Sequence, residues 1–185
     1  MLCRVGGRGF DEAFCYGAYE GTLRKLIHLY KYSGIRRLAD PMGRLIVSAL
    51  PLDRQFDAVV PVPLHWRRRW QRGFNQSELL ARAIARRRGI PMLGVLRRGS
   101  ATRAQAGLSN AQRRENVAGA FRARRRVPGM RILLVDDVMT TGATSGACAR
   151  VLKRAGAKSV SVVSLARVDR RFTDQSDIGK RKGPA

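Results

Sequence analysis

The chain has 185 residues, which is enough for a single domain whose core needs neither disulfides nor bound metals. Apolar residues make up 44% of it, as in ordinary globular proteins, but 37 Lys and Arg against 13 Asp and Glu give a formal charge of +24. This excess predicts anionic partners such as nucleic acid or polyphosphate, although arginines spread over solvated faces would give the same charge, and the lack of any apolar run of ~18 residues excludes membrane insertion.

The N-terminal segment, residues 1–18, is Gly-rich and shows no hydrophobic period, so we expect an irregular remnant of loop and short strand. The cysteines Cys3, Cys15 and Cys148 form no C-x-x-C pair, and therefore neither a disulfide framework nor a zinc site is complete. The N-terminus also lacks the apolar core of a signal peptide. Together these features favour a protein of the reducing cytoplasm.

Helical and strand patterns alternate along the rest of the chain. In chain order, hydrophobic spacing, caps and prolines predict helices at 22–32 and 41–49, a strand at 57–63, a helix at 77–88, a strand at 90–96, a short helix at 111–116, a strand at 132–135, a helix around 148–155 and a strand at 160–165. Such alternation is typical of an α/β protein with a doubly wound, mostly parallel sheet and helices on both faces. We assign residues 19–168 to this domain and expect the polar tail at 169–185 to be disordered.

Two loops of the predicted domain have compositions that suit ligand binding. The loop at 64–76 follows a predicted strand and interleaves four arginines with Trp66, Trp70 and Phe74. It therefore offers cations for a polyanion and flat faces on which a base could stack, although a solvated basic turn anchored by its tryptophans explains it equally well. The loop at 97–110 is polar and without a period, and loops of this length in compact domains are commonly functional lids.

The most specific chemistry lies in residues 132–144, with the sequence Ile-Leu-Leu-Val-Asp-Asp-Val-Met-Thr-Thr-Gly-Ala-Thr. The apolar run predicts a buried strand, so that Asp136 and Asp137 follow it at the carboxyl edge of the sheet. The turn after them consists of Thr140, Thr141, Gly142, Ala143 and Thr144. Small residues before a helix let backbone N–H groups converge on a phosphate, while the acids can accept hydrogen bonds from sugar hydroxyls or hold Mg²⁺. The stretch predicts a sugar-phosphate site, the alternative being a buried strand, an acidic turn and a capped helix without a ligand.

Residues 132–144 resemble, along their full length, the phosphoribosyl pyrophosphate (PRPP) motif of type I phosphoribosyltransferases. The resemblance implies that Asp136 and Asp137 bind the ribose and take part in catalysis, and that the turn binds the 5-phosphate of PRPP, with Mg²⁺ as cofactor. By position, it implies that the 64–76 loop binds pyrophosphate and that the 97–110 loop is the flexible catalytic loop. The residues so implied are His65, Arg67, Arg68, Arg72 and Gly73 for pyrophosphate, and Arg103 and Gln105 for the flexible loop.

A larger part of the chain, about residues 10–168, is similar to the ComF family of phosphoribosyltransferase-like proteins associated with DNA uptake in competent bacteria. The similar segments are 19–24, 29–34, 60–65, 72–76 and 105–109, followed by Arg113, Asn116, Val117, Ala120 and Phe121. Members of that family commonly begin with a four-cysteine zinc module. This chain departs from the pattern, because Cys3 alone stands near the position of the module's last ligand.

Two functions of different classes follow from the sequence. The first is a phosphoribosyltransferase that transfers the phosphoribosyl group of PRPP to an acceptor and releases pyrophosphate. The second is a non-catalytic competence protein that binds single-stranded DNA or a DNA-uptake partner. No residue of the sequence indicates the acceptor.

Overall fold

The computed structural model describes residues 2–3, 9–64, 73–99 and 119–168. In chain order its elements are β1 (Leu2–Cys3), β2 (Glu12–Ala18), α1 (Gly21–Tyr32), a short 3-10 helix (Arg36–Leu38), α2 (Ala39–Ser48), β3 (Ala58–Pro61), α3 (Gln76–Arg88), β4 (Leu96–Arg98), β5 (Phe121–Ala123), β6 (Arg131–Met139), α4 (Ala143–Arg154) and β7 (Ser159–Arg167). The helix predicted at 111–116 and the tail predicted at 169–185 lie outside the described residues. Among the helices that the structure describes, none is long and apolar enough to cross a membrane.

A mostly parallel sheet forms the centre of the domain. Its strand order is β1-β2-β7-β6-β3, in which β1 is antiparallel to β2 and the other neighbours are parallel. Strand β6 lies between β7 and β3, and its apolar residues are buried, as the continuous hydrophobic run predicted. The chain therefore has the α/β fold expected from its sequence, a mostly parallel sheet with helices on both faces.

Both faces of β6 are covered, but by different elements. Leu133 and Val135 pack with the apolar residues of α1, α2 and α3. Ile132 and Leu134 pack with α4 and with the two-stranded ribbon formed by β4 and β5. Because neighbouring residues of a strand point to opposite faces, the carboxyl end of β6 is where side chains from both layers can meet.

The sequence predicts loop and short strand for residues 1–18, without a position for the strand. Residues 12–18 form strand β2, so the sheet begins before the boundary placed at residue 19. Phe14 packs with helices α1–α3, whereas Ala13 packs on the α4 face. A segment buried on both faces shows no alternation of polar and apolar residues, which is why the sequence pattern did not indicate a strand. In the sheet, β2 pairs in parallel with residues 161–167 of β7.

The strand predicted at 90–96 is wrong in position. Strand β4 begins at Leu96 and pairs antiparallel with β5, outside the main sheet. Before it, the carbonyl of Pro91 accepts a hydrogen bond from the N–H of Val59, and Met92 forms an isolated bridge to the same residue. Proline has no N–H with which to continue a ladder, so the segment makes only this brief contact with β3.

Helices α2 and α3 pack side by side, and their starts differ from each other. The helix predicted at 41–49 begins earlier, at Ala39, and Asp40 lies in its first turn. The carboxylate of Asp40 accepts hydrogen bonds from Arg87 Nη1 and Nη2 at 2.8 and 2.7 Å and so ties α2 to α3. Helix α3 is capped by Asn75, whose Oδ1 accepts from the N–H of Ser77 at 3.2 Å.

Candidate functional site

A cavity of about 340 Å³ lies at the carboxyl ends of β3 and β6. Because these strands are parallel neighbours, the loops that follow them meet at the same edge of the sheet. The residues that line the cavity are Tyr19, Lys31, Val62, Pro63, Leu64, Gln76, Ser77, Arg98, Asp136, Asp137, Val138, Thr140, Thr144 and Val168. The cavity thus brings together Asp136, Asp137, Thr140 and Thr144 of the predicted site.

The acid pair belongs to β6 itself, which runs on to Met139 instead of ending before the acids as predicted. Asp136 still pairs in register with Ser164 of β7. Since consecutive strand residues point to opposite faces, Asp136 and Asp137 are held on opposite sides of the strand end. The two carboxylates therefore have different protein partners.

The carboxylate of Asp136 binds donors from both helical layers. Its Oδ1 accepts from the N–H of Asp137 at 2.9 Å and lies 3.5 Å from Ser77 Oγ. Its Oδ2 accepts from Ser145 Oγ at 3.2 Å. Ser77 and Ser145 are buried in the first turns of α3 and α4. The starts of two helices therefore converge on this one carboxylate.

The environment of Asp136 disfavours its charged form. Shielding from water, followed by the neighbouring charge of Asp137, raises the pKa of Asp136 to about 7, although hydrogen bonds from Asp137 and Ser145 act in the opposite direction. Burial, and then the charge of Asp136, also raises the pKa of the Cys148 thiol on α4. A carboxyl group with so perturbed a pKa in a cavity is typical of a functional site.

The partner of Asp137 is a cation from the first helix. Lys31 Nζ lies 2.9 Å from Asp137 Oδ2, and only 14% and 16% of the two side chains are exposed. The other oxygen, Oδ1, accepts from the N–H of Val138 at 2.6 Å. Sequence analysis missed Lys31, Ser77 and Ser145. For Lys31 the available signal was its place in the 29–34 segment that resembles the ComF family.

The turn between β6 and α4 has the geometry of an anion site. Gly142 adopts a φ of 73°, in the left-handed region that favours glycine, at the N-cap of α4. The N–H of Ala143 donates to Thr141 Oγ1 at 3.3 Å, and the N–H of Gly146 donates to the carbonyl of Gly142 at 2.8 Å. The N–H groups between these points precede the helix ladder, and the first turn of α4 contains no acidic residue. A phosphate is therefore the kind of ligand that this helix start and the lining hydroxyl of Thr144 suit.

Of the residues predicted for pyrophosphate binding and for the flexible loop, Gly73 alone lies in the described part of the chain. Outside the described residues lie His65, Arg67, Arg68, Arg72, Arg103 and Gln105. Gly73 is described, with a φ of 72°, and its carbonyl accepts from Arg36 Nη2 at 3.2 Å. Because Gly73 is not among the described residues that line the cavity, its part in pyrophosphate binding stays a prediction.

The donor set of the cavity fits Mg²⁺ in a limited way. Asp136 and Asp137 supply the carboxylate oxygens that Mg²⁺ prefers, and proteins commonly hold this ion with one or two carboxylates plus the phosphates of a substrate. Asp136 Oδ1 contacts two protein donors, and each of the other three oxygens contacts one, so what remains for an ion is a second lone pair on those three. Within the described ranges, no group of three or more His, Cys, Asp or Glu side chains could hold a metal. The pair therefore suits an ion that arrives with a phosphate ligand.

A family model and curated relatives both match this chain. A family model described as Phosphoribosyl transferase domain matches residues 75–180. Competence protein F of Haemophilus influenzae is 33% identical over 168 residues, which cover 85% of this chain and 73% of that protein. DNA utilization protein YhgH of Escherichia coli (strain K12) is 37% identical over 156 residues, which cover 80% of this chain and 69% of that protein.

Among solved structures, the fold of adenine phosphoribosyltransferase from Leishmania tarentolae is similar. The two match with a TM-score of 0.53 and 14% identity, over 99% of this chain and 88% of that one. At so low an identity the likeness concerns the fold alone. It supports the type I phosphoribosyltransferase fold class, with a mostly parallel sheet and helices.

Proposed function

Because this chain belongs to the ComF family, within the larger family of proteins with a phosphoribosyl transferase domain, we propose that it binds PRPP and transfers the phosphoribosyl group to an acceptor, releasing pyrophosphate. The observation that supports this most strongly is that one cavity joins the acid pair of β6 to Thr140 and Thr144 of the turn before α4. The comparisons confirm the resemblance of residues 10–168 to the ComF family, for both family and fold.

In this proposal each half of the site binds one half of a ribose phosphate. The turn at 140–144 receives the 5-phosphate, because its helix start provides N–H groups and its threonines provide hydroxyl donors. Asp136 and Asp137 accept hydrogen bonds from the ribose hydroxyls, which fixes the sugar against the end of β6. The same two carboxylates would hold Mg²⁺, which when bound would neutralise charge on the leaving pyrophosphate.

The test is PRPP binding to a variant that keeps the shape of the acid pair and removes its charge. Asp136→Asn combined with Asp137→Asn should weaken binding by at least ~2 kcal/mol, or about 30-fold, because charge-assisted hydrogen bonds to the ribose are removed. Calorimetric titration with PRPP and Mg²⁺ at about pH 8 would measure this, since Asp136 is charged there in the wild type.

A matched control is Asp57→Asn. Asp57 contacts Arg131 at the opposite end of β6, so its charge is removed without touching the cavity. The control should retain wild-type affinity for PRPP. Equal affinity of the wild type and the double variant would overturn the proposed function, and pyrophosphate release against a panel of nucleobases would identify the acceptor.

A second candidate function is binding of single-stranded DNA, and the β4–β5 ribbon favours it. Arg97 of β4 lies directly opposite Arg122 of β5, and both are exposed. Like charges in cross-strand pairs destabilise a ribbon, so an anionic partner would relieve this arrangement. The exposed residues 124–126, all arginine, continue the ribbon. Among the ion pairs of the described residues, none involves these five arginines.

The salt dependence of DNA binding distinguishes specific binding by the ribbon from nonspecific attraction to a basic surface. If the ribbon binds DNA phosphates, Arg97→Ser with Arg122→Ser should lower the slope of log affinity against log salt by about one to two, since each arginine neutralises one phosphate. Fluorescence anisotropy of a labelled oligonucleotide would measure the slope. Arg24→Ser with Lys25→Ser, at exposed positions of α1, is the control that also removes two charges, and an equal change in both variants would exclude specific binding by the ribbon.

A further inference from the structure

Lys31 is built into the wall of the cavity by helix α1. It lies in the last turn of α1, next to Tyr30, whose buried hydroxyl donates to the carbonyl of Gln76 at 2.9 Å. Ile27 and Tyr30 anchor the same turn in the core. The backbone at Lys31 is therefore fixed relative to the start of α3, and the position lies outside residues 75–180, the part that the family model matches.

The ion pair between Lys31 and Asp137 differs from the other ion pairs of the described residues. It has the least exposed side chains among them, whereas Asp57 with Arg131 and Asp11 with Lys153 are each more than a third exposed. Removing two charges from water is costly, and exposed pairs stabilise folds at much lower cost. A part-buried pair facing a cavity is thus better explained by the ligand than by the stability of the fold.

A sugar phosphate meets an electrostatic difficulty at this site. Its phosphates are anionic, and Asp136 and Asp137 would repel them. Lys31 neutralises Asp137 directly, at 2.9 Å. Arg98 also lines the cavity, but its guanidinium lies over the ring of Phe121, 5.3 Å from the centroid. Lys31 therefore contacts the acid pair directly.

We propose that Lys31 is a built-in counter-cation of the site, which neutralises Asp137 in the empty protein and transfers to an anionic oxygen of the bound sugar phosphate. This inference rests on the proposed function, since it needs a ligand with both hydroxyl and phosphate groups. The transfer frees Asp137 Oδ2 to accept a hydrogen bond from a ribose hydroxyl. A lysine suits the exchange because its ammonium is a point charge on a flexible stem, with donors that can change partner.

The exchange predicts that Lys31 and Mg²⁺ perform overlapping tasks. Either one supplies positive charge between the acid pair and the phosphates of the ligand. Loss of Lys31 should therefore matter most when no divalent cation is present, and a bound Mg²⁺ should compensate for part of the loss. A residue that merely packs in the wall would affect both conditions alike.

The experiment compares PRPP affinity of the wild type and of Lys31→Met by calorimetry, with Mg²⁺ and with EDTA at equal ionic strength. In EDTA the variant should lose about 10-fold or more in affinity, as expected when a hydrogen bond to a charged group is removed. With Mg²⁺ the loss should be roughly 3-fold or less, because the ion replaces much of the missing charge. Lys31→Arg should recover most of the affinity in EDTA.

Lys25→Met is the matched control, because Lys25 is an exposed lysine of the same helix. It should change affinity less than about 2-fold in either condition, as an exposed charge is screened. An equal loss for Lys31→Met with and without Mg²⁺, or no loss in either, would overturn the role of Lys31 while the proposed function stands. A wild type that binds no PRPP in either condition would overturn both.

Discussion

At the amino end of β6, Arg131 surrounds the carboxylate of Asp57 with three hydrogen bonds, at 2.7, 2.8 and 3.2 Å. At the carboxyl end of the same strand, Asp136 lies beside a second acid. The pKa of Asp57 falls to about 2, chiefly through the hydrogen bonds from Arg131. The pKa of Asp136 rises to about 7, through shielding from water and the charge of Asp137.

The contrast separates a carboxylate that stabilises the fold from one that, in the proposed function, binds a ligand. Asp57, the residue before β3, accepts hydrogen bonds from Arg131 at the start of β6. Its charged form is therefore stabilised in the folded protein. The charged form of Asp136 is destabilised in the folded protein, which is typical of residues retained for binding or catalysis. Replacing each acid by its uncharged amide should therefore change stability in opposite directions.

The largest expected effect on stability is that of Asp136→Asn. The folded pKa of Asp136 lies above the ordinary value of 3.8, so the ionised carboxyl lowers stability progressively as pH rises from about 4 to about 7. The amide removes this charge, and the hydroxyls of Ser77 and Ser145 can donate to it or accept from it. We expect the variant to be more stable than the wild type by on the order of 2 kcal/mol at about pH 8, in urea unfolding followed by circular dichroism.

Repeating the urea experiment at about pH 4 provides the control, because Asp136 is then protonated in the folded wild type and the advantage should vanish. A variant less stable than the wild type at about pH 8 would contradict the assignment of a disfavoured charge to this end of β6. The same variant should bind PRPP more weakly, so that stability and binding change in opposite directions.

A smaller and opposite effect is expected for Asp57→Asn. The folded pKa of Asp57 lies below the ordinary value, so its charge adds stability above about pH 4, and this contribution is lost as pH falls through about 2. The side chain is 35% exposed and screened by solvent, so the loss at about pH 8 should be no more than about 1 kcal/mol. Urea unfolding at about pH 8 measures the loss, and a gain in stability would remove the distinction between the two ends of β6.

The smallest expected effect is the coupling between the two substitutions. Asp57 contacts the first residue of β6, and Asp136 lies about 16 Å farther along the strand at ~3.3 Å per residue. The double variant should therefore show the sum of the single effects within roughly 0.5 kcal/mol. A larger coupling energy in the unfolding cycle would mean that the two ends of the strand do not act independently.

What the sequence could predict is what lies close together along it. The apolar run, the acid pair and the Thr-Gly turn are consecutive, so their joint chemistry could be read before the fold was known. The alternation of strands and helices likewise predicted the α/β class, which is confirmed. The cytoplasmic location, Mg²⁺ and the roles of residues 65–72 stay predictions.

What the sequence could not predict depends on distant pairing. Lys31 and Asp137 lie in different halves of the chain, and no local pattern connects a lysine of one helix with an acid of a late strand. Strand β2 could not be recognised because it is buried on both faces and pairs with the final described strand. The strand predicted at 90–96 begins only at Leu96, because Pro91 has no N–H with which to continue the ladder beside β3.

The position of β7 also has a consequence for how the protein is made. In the described sheet, β7 lies between β2 and β6, so the earliest long strand and the site strand are joined by the one synthesised last. In a nascent chain that has emerged only as far as α4, the strand between β2 and β6 is therefore missing. Phe14 and Leu133 then lack the apolar residues of β7 with which they pack. Pairings between residues so distant in sequence form slowly, which leaves time for a chaperone or an aggregation partner to act. The cavity at the end of β6 is thus completed only after β7 (Ser159–Arg167) has left the ribosome.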